Sequence, residues 1–180
     1  MFLKANMTQT LQNEHIYLRA IEPEDFVFLS EIENDERLWL LGSTVQPFSE
    51  FVLREYLKNA KEDIYTAKQL RLVICLKNGL SVGLVDLFDF DVKNKKAGVG
   101  IVILEKFRSK GVGFHAMQCV MAYAKKHLDL HQLYANILLQ NVPSLHLFDK
   151  CGFQTIGIKQ DWIYHNGKFE DEALVQLILT

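Results

Sequence analysis

The sequence predicts one α/β (α+β layered) domain built on a single central sheet, and three observations lead to this fold class. Strand-like and helix-like patterns mix along the chain. Two Asn-Gly pairs, at Asn78-Gly79 and Asn166-Gly167, stand between β-rich segments as hairpin turns. No linker, repeat or low-complexity tract divides the 180 residues, and a hydrophobic fraction of 49% allows one sizeable core.

The first half of the chain is predicted to follow the order β-α-α-β-β-β. Residues 15–21 alternate apolar and polar side chains, as a strand does. Pro23 opens a helix over residues 23–33, where its missing N–H costs nothing. Ser49 is a suitable N-cap for a helix over residues 50–65. Three β-rich segments then form a meander: residues 70–76, 81–91 and 97–104.

The second half is predicted to continue as α-β-α-β-β. An apolar stripe at helical spacing covers residues 111–127, and a strand follows over residues 133–139. A short helix over residues 142–151 has Pro143 in its first turn and Gly152 just past its end. The last two strands form a hairpin about Asn166-Gly167. We therefore expect residues 1–14 to be an N-terminal tail and residues 15–180 to be the domain.

Composition excludes several classes of function. A net charge of −2 argues against a protein that binds nucleic acid through its phosphates. No apolar stretch is long enough for a membrane span or resembles a signal peptide. No H-E-x-x-H pattern is present, so no metal is expected. Three cysteines, Cys75, Cys119 and Cys151, cannot all pair, which favours buried thiols in a reduced, cytoplasmic protein.

A glycine-containing loop between a predicted strand and helix is the most informative segment. Gly111 and Gly113 let the backbone approach a ligand, and the helix that follows presents unpaired N–H groups. Lys106, Arg108 and Lys110 add positive charge, so a phosphate group suits the loop, although a solvated basic loop that only caps a helix fits equally well. A G-x-G-x-x-A dinucleotide fingerprint is disfavoured, because the loop is long and follows a meander.

Two motifs resemble those of the GNAT superfamily of acetyl-CoA-dependent N-acetyltransferases. The family's phosphate loop, R/Q-x-x-G-x-G/A, is matched by Arg108, Gly111 and Gly113. A second family motif, N-x-x-S/A-x-x-L/I-Y-x-x-x-G-F, is matched at Asn141, Ser144, Leu147, Gly152 and Phe153. The resemblance covers residues 15–179, and within the superfamily it is strongest to the branch of polyamine and ribosomal-protein alanine acetyltransferases.

The resemblance implies a mixed, mostly antiparallel sheet flanked by about four helices, and acetyl-CoA as co-substrate without a metal. It implies direct transfer of the acetyl group to an amine in a ternary complex. The backbone near the end of the fourth strand would bind the pantetheine arm, the loop amides the pyrophosphate, and Asn141 the pantetheine, although Asn141 is also a favoured helix N-cap. The implied cofactor contacts are Ile101, Val102, Ile103, Arg108, Ser109, Lys110, Gly111, Val112, Gly113, Asn141 and Phe148.

The chain departs from the family pattern at both acid–base positions. The acidic base that many members carry on the fourth strand is replaced by Gly98, and the tyrosine that protonates the leaving sulfur by Phe148. Asp86 is a candidate catalytic residue if no β-bulge turns it to solvent, since it would share a face with Val82, Leu84, Phe88 and Phe90. Tyr164 is a second candidate, with a surface hairpin as the alternative.

The acceptor is expected to be a protein N-terminus or a small primary amine. Residues 42–48 contain no acid, which disfavours the alternative of a polyamine such as spermidine or spermine, and the acids at positions 31–36 are read as a solvated face. A CoA-binding module with little catalysis is a further alternative, because of Gly98 and Phe148. A homodimer stays open, and neither a nucleic-acid nor a membrane partner is expected.

Overall fold

A computed structural model of the chain describes residues 9–42, 44–60 and 62–180. Its strands form one sheet in the order β1-β2-β3-β4-β5-β7-β6, antiparallel except for β4 and β5. This confirms the predicted α/β class and the mostly antiparallel sheet. The strands are β1 (Ile16–Ala20), β2 (Leu70–Leu76), β3 (Ser81–Asp91), β4 (Lys96–Ile103), β5 (Gln132–Leu138), β6 (Gln154–His165) and β7 (Lys168–Ile178). The helices in the described ranges are α1 (Phe26–Glu33), α2 (Glu36–Gly42), α3 (Glu50–Asn59), α4 (Ile64–Ala67), α5 (Val112–Leu128) and α6 (Val142–Lys150).

The first helical region differs from its prediction in two places. α2 was not expected, because its seven residues give too short a periodic pattern. The helix predicted over residues 50–65 begins as expected, with the Ser49 hydroxyl accepting from the Val52 N–H, but it ends at Asn59. Asp63 then accepts hydrogen bonds from the Tyr65 and Thr66 amides and starts α4, so local capping divides the segment.

β4 and β5 diverge, and this divergence opens the sheet. They pair at only three positions: Lys96 with Gln132, Ala97 with Leu133, and Gly98 with Tyr134. β4 stays paired with β3 as far as Ile103, so the backbone of residues 99–103 has a free edge on its other side. Parallel strands need a crossover connection, and α5 supplies it over this opening.

Two cores sandwich the sheet. On one face, α5 packs through Ala116, Met117 and Val120, which are almost fully buried. On the other face, Leu29 of α1 and Leu53 of α3 pack on the sheet. Both faces of β2 and β3 are therefore buried, which explains their continuous apolar sequence.

The end of the predicted N-terminal tail packs against the domain. Leu11 contacts the main core, and the Asn13 side-chain amide donates to the His115 carbonyl at 3.4 Å. Residues 1–8 lie outside the described residues, and the boundary at residue 14 stays a prediction.

The three cysteines are free and buried, as expected, and burial raises the pKa of Cys151 to about 11. Among the described helices, none is long and apolar enough to cross a membrane.

A buried ion pair fixes the entry into α1. The two terminal nitrogens of the Arg19 guanidinium, Nη1 and Nη2, donate to the Asp25 carboxylate at 2.6 and 2.7 Å. The Glu22 N–H also donates to this carboxylate, at 2.9 Å. The Asp25 side chain is only 8% exposed. Burial raises the pKa of Asp25, but the hydrogen bonds from Arg19 and Glu22 outweigh it and hold the pKa below its ordinary value.

We expect Asp25→Asn to lower the free energy of unfolding at pH 7 by roughly 1–3 kcal/mol, because Arg19 loses a charged partner. The Asp25 pKa is lower in the folded than in the unfolded chain. The stabilisation is therefore present above about pH 4 and is lost as the pH falls through the folded pKa. Urea unfolding across pH 7 to 3 measures this. Glu24→Gln, the same charge change at the exposed neighbouring residue, is the control, and equal midpoints for both variants would contradict the prediction.

Candidate active site

The free edge of β4 offers backbone groups to an extended ligand. The Leu104 N–H donates to the Val82 carbonyl at 2.9 Å, which fixes the alternation of the β3–β4 ladder. The polar groups of Val102 therefore point to β3, and those of Ile101 and Ile103 point into the gap beside β5. Two of the three residues proposed for the pantetheine arm thus have groups on the open side. In this structure the Ile103 carbonyl accepts a hydrogen bond from Arg108 Nε at 2.9 Å.

The loop after β4 presents backbone N–H groups at the start of α5. Ser109 and Gly111 have positive φ angles of 58° and 79°, so the chain turns sharply into the helix. Gly111 is the N-cap of α5 and supplies no side-chain hydrogen bond to the first turn. The N–H groups of that turn are left for a ligand, and with the helix dipole they favour an anion.

Gly113 has a packing role as well as a place in the loop motif. A Cβ atom at this position would lie 3.2 Å from Leu147 Cδ2 of α6 and 3.8 Å from Ile103 Cγ1. The first turn of α5 therefore approaches α6 closely because residue 113 has no side chain. Substitution of Gly113 would disturb this packing as well as a ligand.

The second motif runs from Asn141, the N-cap of α6, to Phe153, just past the end of that helix. Asn141 is the N-cap of α6, and its side-chain oxygen accepts from the Ser144 N–H at 3.3 Å. The residue therefore has the capping role that was the alternative to ligand binding. Its side-chain NH₂ group remains available to a ligand. Phe148 is 3% exposed and contacts Phe153 edge to face, with 4.9 Å between ring centroids. It has no proton to give.

A cavity of about 560 Å³ lies on the α1–α2 side of the sheet, where β4 borders it. We refer to it as the acceptor cleft. Its walls come from the α1–α2 region, from β2 to β4, and from β5 to β7. Its lining residues include Glu33, Trp39, Leu41, Arg71, Asp86, Phe88, Gly100, Ile101, Val102, Asn136, Lys159, Trp162, Ile163 and Glu172.

Asp86 lies in the acceptor cleft, with its side chain 17% exposed. It shares a face with Leu84 and Phe88, as expected. Val82 and Phe90, however, are in the opposite core, because the pairing register shifts at each end of β3 and Asp89 takes a φ of 49°. The bulges flank Asp86 and do not turn it to solvent.

Tyr164 lies on the exposed part of the β6–β7 hairpin. Its side chain is 66% exposed, and its ring packs on Phe169 with 5.2 Å between centroids. The preceding residues, Trp162 and Ile163, are the ones that line the acceptor cleft. A register shift between Lys159 and Ile163 sets which side chains of β6 reach the cleft. The surface-hairpin alternative describes the position of Tyr164.

An aromatic ring fills the space where an acid on β4 would lie. Gly98 pairs directly with Phe88 across the β3–β4 ladder. A Cβ atom on Gly98 would lie 2.3 Å from Phe88 Cε2, far inside van der Waals contact. A carboxylate side chain at residue 98 is incompatible with this position of the Phe88 ring.

Several residues of the cleft were missed by sequence reasoning. Trp39 lies in the unexpected α2, and Trp162 lies in β6. Glu33 had been grouped with a solvated acidic face, whereas it forms an ion pair with Arg71. A signal for Arg71 does exist in the sequence, since it is the one charged residue within the apolar strand β2.

Comparison with known proteins identifies the family. The family model described as "Acetyltransferase (GNAT) domain" matches residues 15–154. The chain belongs to this family. Membership assigns it acetyl-CoA-dependent N-acetyl transfer, which confirms the predicted enzyme class and co-substrate. Within the described ranges, no three metal-binding side chains cluster.

Individual relatives of this GNAT domain are distant but nearly full length. A spermidine N(1)-acetyltransferase of Vibrio cholerae is 25% identical over 159 residues, 88% of this chain and 90% of the relative. A putative ribosomal N-acetyltransferase of Bacillus subtilis is 29% identical over 170 residues, 92% of each chain. The crystal structure of a V. cholerae spermidine N-acetyltransferase with CoA and spermine has a TM-score of 0.83 at 24% identity, covering 93% of this chain and 97% of the other. That likeness shows the fold.

We expect Gly98→Ala to lower the free energy of unfolding by about 1–3 kcal/mol, because the added methyl group overlaps the Phe88 ring. Thermal unfolding measures the loss. Gly100→Ala is the matched control on the same strand, since its Cβ would lie 3.6 Å from the Phe88 ring, an ordinary contact. In a Phe88→Ala background the cost of Gly98→Ala should shrink, and an unchanged cost would contradict the assignment.

Proposed function

We propose that this protein transfers the acetyl group of acetyl-CoA directly to the primary amine of a protein N-terminus or a small molecule. The observation that carries the proposal is that β4 borders both the gap beside β5 and the acceptor cleft. β4 presents its free edge to the gap beside β5, and Gly100, Ile101 and Val102 also line the acceptor cleft. A thioester bound along that edge and an amine in the cleft would meet at this strand.

The chemistry needs a neutral amine, donors for a developing oxyanion and a leaving thiolate. Backbone N–H groups on the free edge of β4, at Ile101 and Ile103, are suited to the oxyanion. The loop residues 108–113 and Asn141 would hold the pyrophosphate and pantetheine. Phe148 cannot protonate the sulfur, but a thiol with a pKa near 8.5 leaves as the thiolate and takes its proton from water.

Asp86 is the residue we propose as general base. Its Oδ1 atom accepts from Arg71 Nε at 2.6 Å and from Gln69 at 3.4 Å. Its Oδ2 atom accepts no hydrogen bond from the described residues, so it is the atom available to take a proton from an amine, directly or through a water molecule.

We expect Asp86→Asn to affect two acceptor classes unequally at pH 7. An alkylamine has a pKa near 10.4 and needs a base, whereas an α-amine near 7.7–8.0 is partly neutral already. The kcat/KM for an alkylamine should fall by ~10²-fold or more, and that for a peptide α-amine by much less. CoA affinity, measured by calorimetry, serves as the control for folding. Equal losses for both acceptors would rule out Asp86 as the base.

Binding of CoA at the loop is tested by removing charge beside the α5 N-terminus. We expect Arg108→Ala/Lys110→Ala to weaken CoA binding at least ~10-fold, because charge-assisted contacts are lost. Lys125→Ala/Lys126→Ala removes the same charge at the other end of α5 and should leave the affinity near that of the parent protein. Equal weakening of both double variants in calorimetry would contradict a site at the loop.

The acceptor is tested by the release of free CoA thiol from acetyl-CoA in the presence of different amines. A peptide with a free α-amine and a small monoamine should support turnover. Spermidine is the second candidate, because relatives at 25–26% identity are spermidine N(1)-acetyltransferases. Tight CoA binding without turnover of any amine would favour a CoA-binding module with little catalysis. That alternative is considered because Gly98 and Phe148 stand where the family usually carries its base and acid.

A homodimer is part of the proposal. β6 is an edge strand of the sheet, and its unpaired side is free to meet another chain. Apolar side chains on and beside it are exposed, among them Ile156, Ile158, Tyr164 and Phe169. A patch of this kind on a folded domain favours self-association.

The three buried free thiols support a reducing, cytoplasmic location.

A further inference from the structure

The charged side chains of the acceptor cleft are already paired with one another. Among the described lining residues, the carboxylates are Glu33, Asp86 and Glu172, and the cations are Arg71 and Lys159. Lys159 Nζ donates to Glu172 at 2.9 Å and to Asn136 at 2.7 Å. Arg71 forms ion pairs with the other two carboxylates, Glu33 and Asp86. With three carboxylates and two cations, the described lining carries one net negative charge.

Arg71 connects two walls of the cleft. Its Nε donates to Asp86 Oδ1 of β3 at 2.6 Å, and its Nη1 forms an ion pair with Glu33 at the end of α1. The side chains of Arg71, Glu33 and Asp86 are all 20% exposed or less. Burial lowers the pKa of Arg71, but Asp86 and Glu33 outweigh it and hold the pKa above its ordinary value. Arg71 is thus a permanent cation on the cleft floor.

A second positive charge on the acceptor would find no free carboxylate beside Arg71. Glu33 and Asp86 both face the guanidinium, so a second ammonium would have to displace it or lie close to it. Either arrangement is unfavourable at low exposure, because like charges repel and a displaced guanidinium would lose two partners. One ammonium or amine is what the net charge of the described lining accommodates.

The uncharged part of the cleft is apolar and aromatic. Trp39 Nε1 donates to the Glu33 carbonyl at 2.9 Å, which fixes one indole ring as a wall. Phe88, Trp162 and Ile163 add further apolar surface from β3 and β6. These walls suit a hydrocarbon or aromatic body next to the reacting amine.

We propose that Arg71 is a specificity-determining residue, and that it selects primary amines with a single positive charge and an apolar or aromatic body over diamines and polyamines. This inference rests on the proposed function, because it names the acceptor class of the same cleft. Arg71 acts by pairing with both Glu33 and Asp86, which leaves one net negative charge where the two carboxylates alone would attract a second ammonium group.

The test compares n-pentylamine with 1,5-diaminopentane, which match in length and differ in the far charge. The measured quantity is the ratio of kcat/KM for the monoamine to that for the diamine. Dissociation constants of both amines for the CoA-loaded protein give the same ratio without turnover. The parent protein should favour the monoamine. Arg71→Gln should lower the ratio roughly tenfold, because a cation facing the second ammonium is removed.

Two further variants make the test independent of the folding of Arg71→Gln. Glu33→Gln removes one negative charge and keeps the Arg71–Asp86 pair, so the ratio should rise above that of the parent protein. Arg54→Gln makes the same change as Arg71→Gln on the exposed surface of α3, where Arg54 pairs with Glu50, and should leave the ratio unchanged. Thermal unfolding of each variant establishes that it is folded.

The outcomes separate this inference from the proposed function. A parent protein that favours the diamine, or a Glu33→Gln ratio that does not rise, would overturn the role of Arg71. Equal shifts in Arg71→Gln and Arg54→Gln would overturn it as well. Absence of turnover with every amine would instead overturn the proposed function, while the ratio of dissociation constants would still decide the charge selection.

Discussion

The divergence of β4 from β5 is the constraint on which the rest of the structure depends. Backbone polar groups in a sheet are normally paired, yet β4 ends with its outer edge open over residues 99–103. The first turn of α5 lies beside the opening and close to α6, since a Cβ at Gly113 would lie 3.8 Å from Ile103 Cγ1 and 3.2 Å from Leu147 Cδ2. A free strand edge and a free helix N-terminus therefore lie next to each other.

The two faces of the sheet carry different features. The face under α5 carries the larger core and supports the loop, whereas the face under α1 and α2 holds the acceptor cleft. β4 belongs to both, because its edge borders the gap and its residues 99–102 border the cleft. A displacement of β4 would thus change the gap and the cleft together. The continuous pairing of β3 with β4 from Gly98 to Ile103 opposes such a displacement.

The sequence predicted the fold well where signals are local. The turns at Asn78-Gly79 and Asn166-Gly167, the Ser49 cap and the glycine loop each have a short-range physical cause. The acceptor cleft was harder, because its members come from distant segments. Arg71 and Glu33 are 38 residues apart. Nothing in either segment alone reveals the pair. Likewise, bulges at both ends of β3 change the face of the sheet on which Val82 and Phe90 lie. A prediction that assumes strict alternation of side chains along the strand therefore assigns both residues to the wrong face.

The contact between Phe88 and Gly98 has a consequence for how this sequence can change. An acid at residue 98 would overlap the present position of the ring, and a smaller residue at 88 alone would leave an unfilled space beside a bare glycine. Each change is harmful without the other. A carboxylate at residue 98 therefore requires both changes, and either single variant on the way to it is less stable than the present pair.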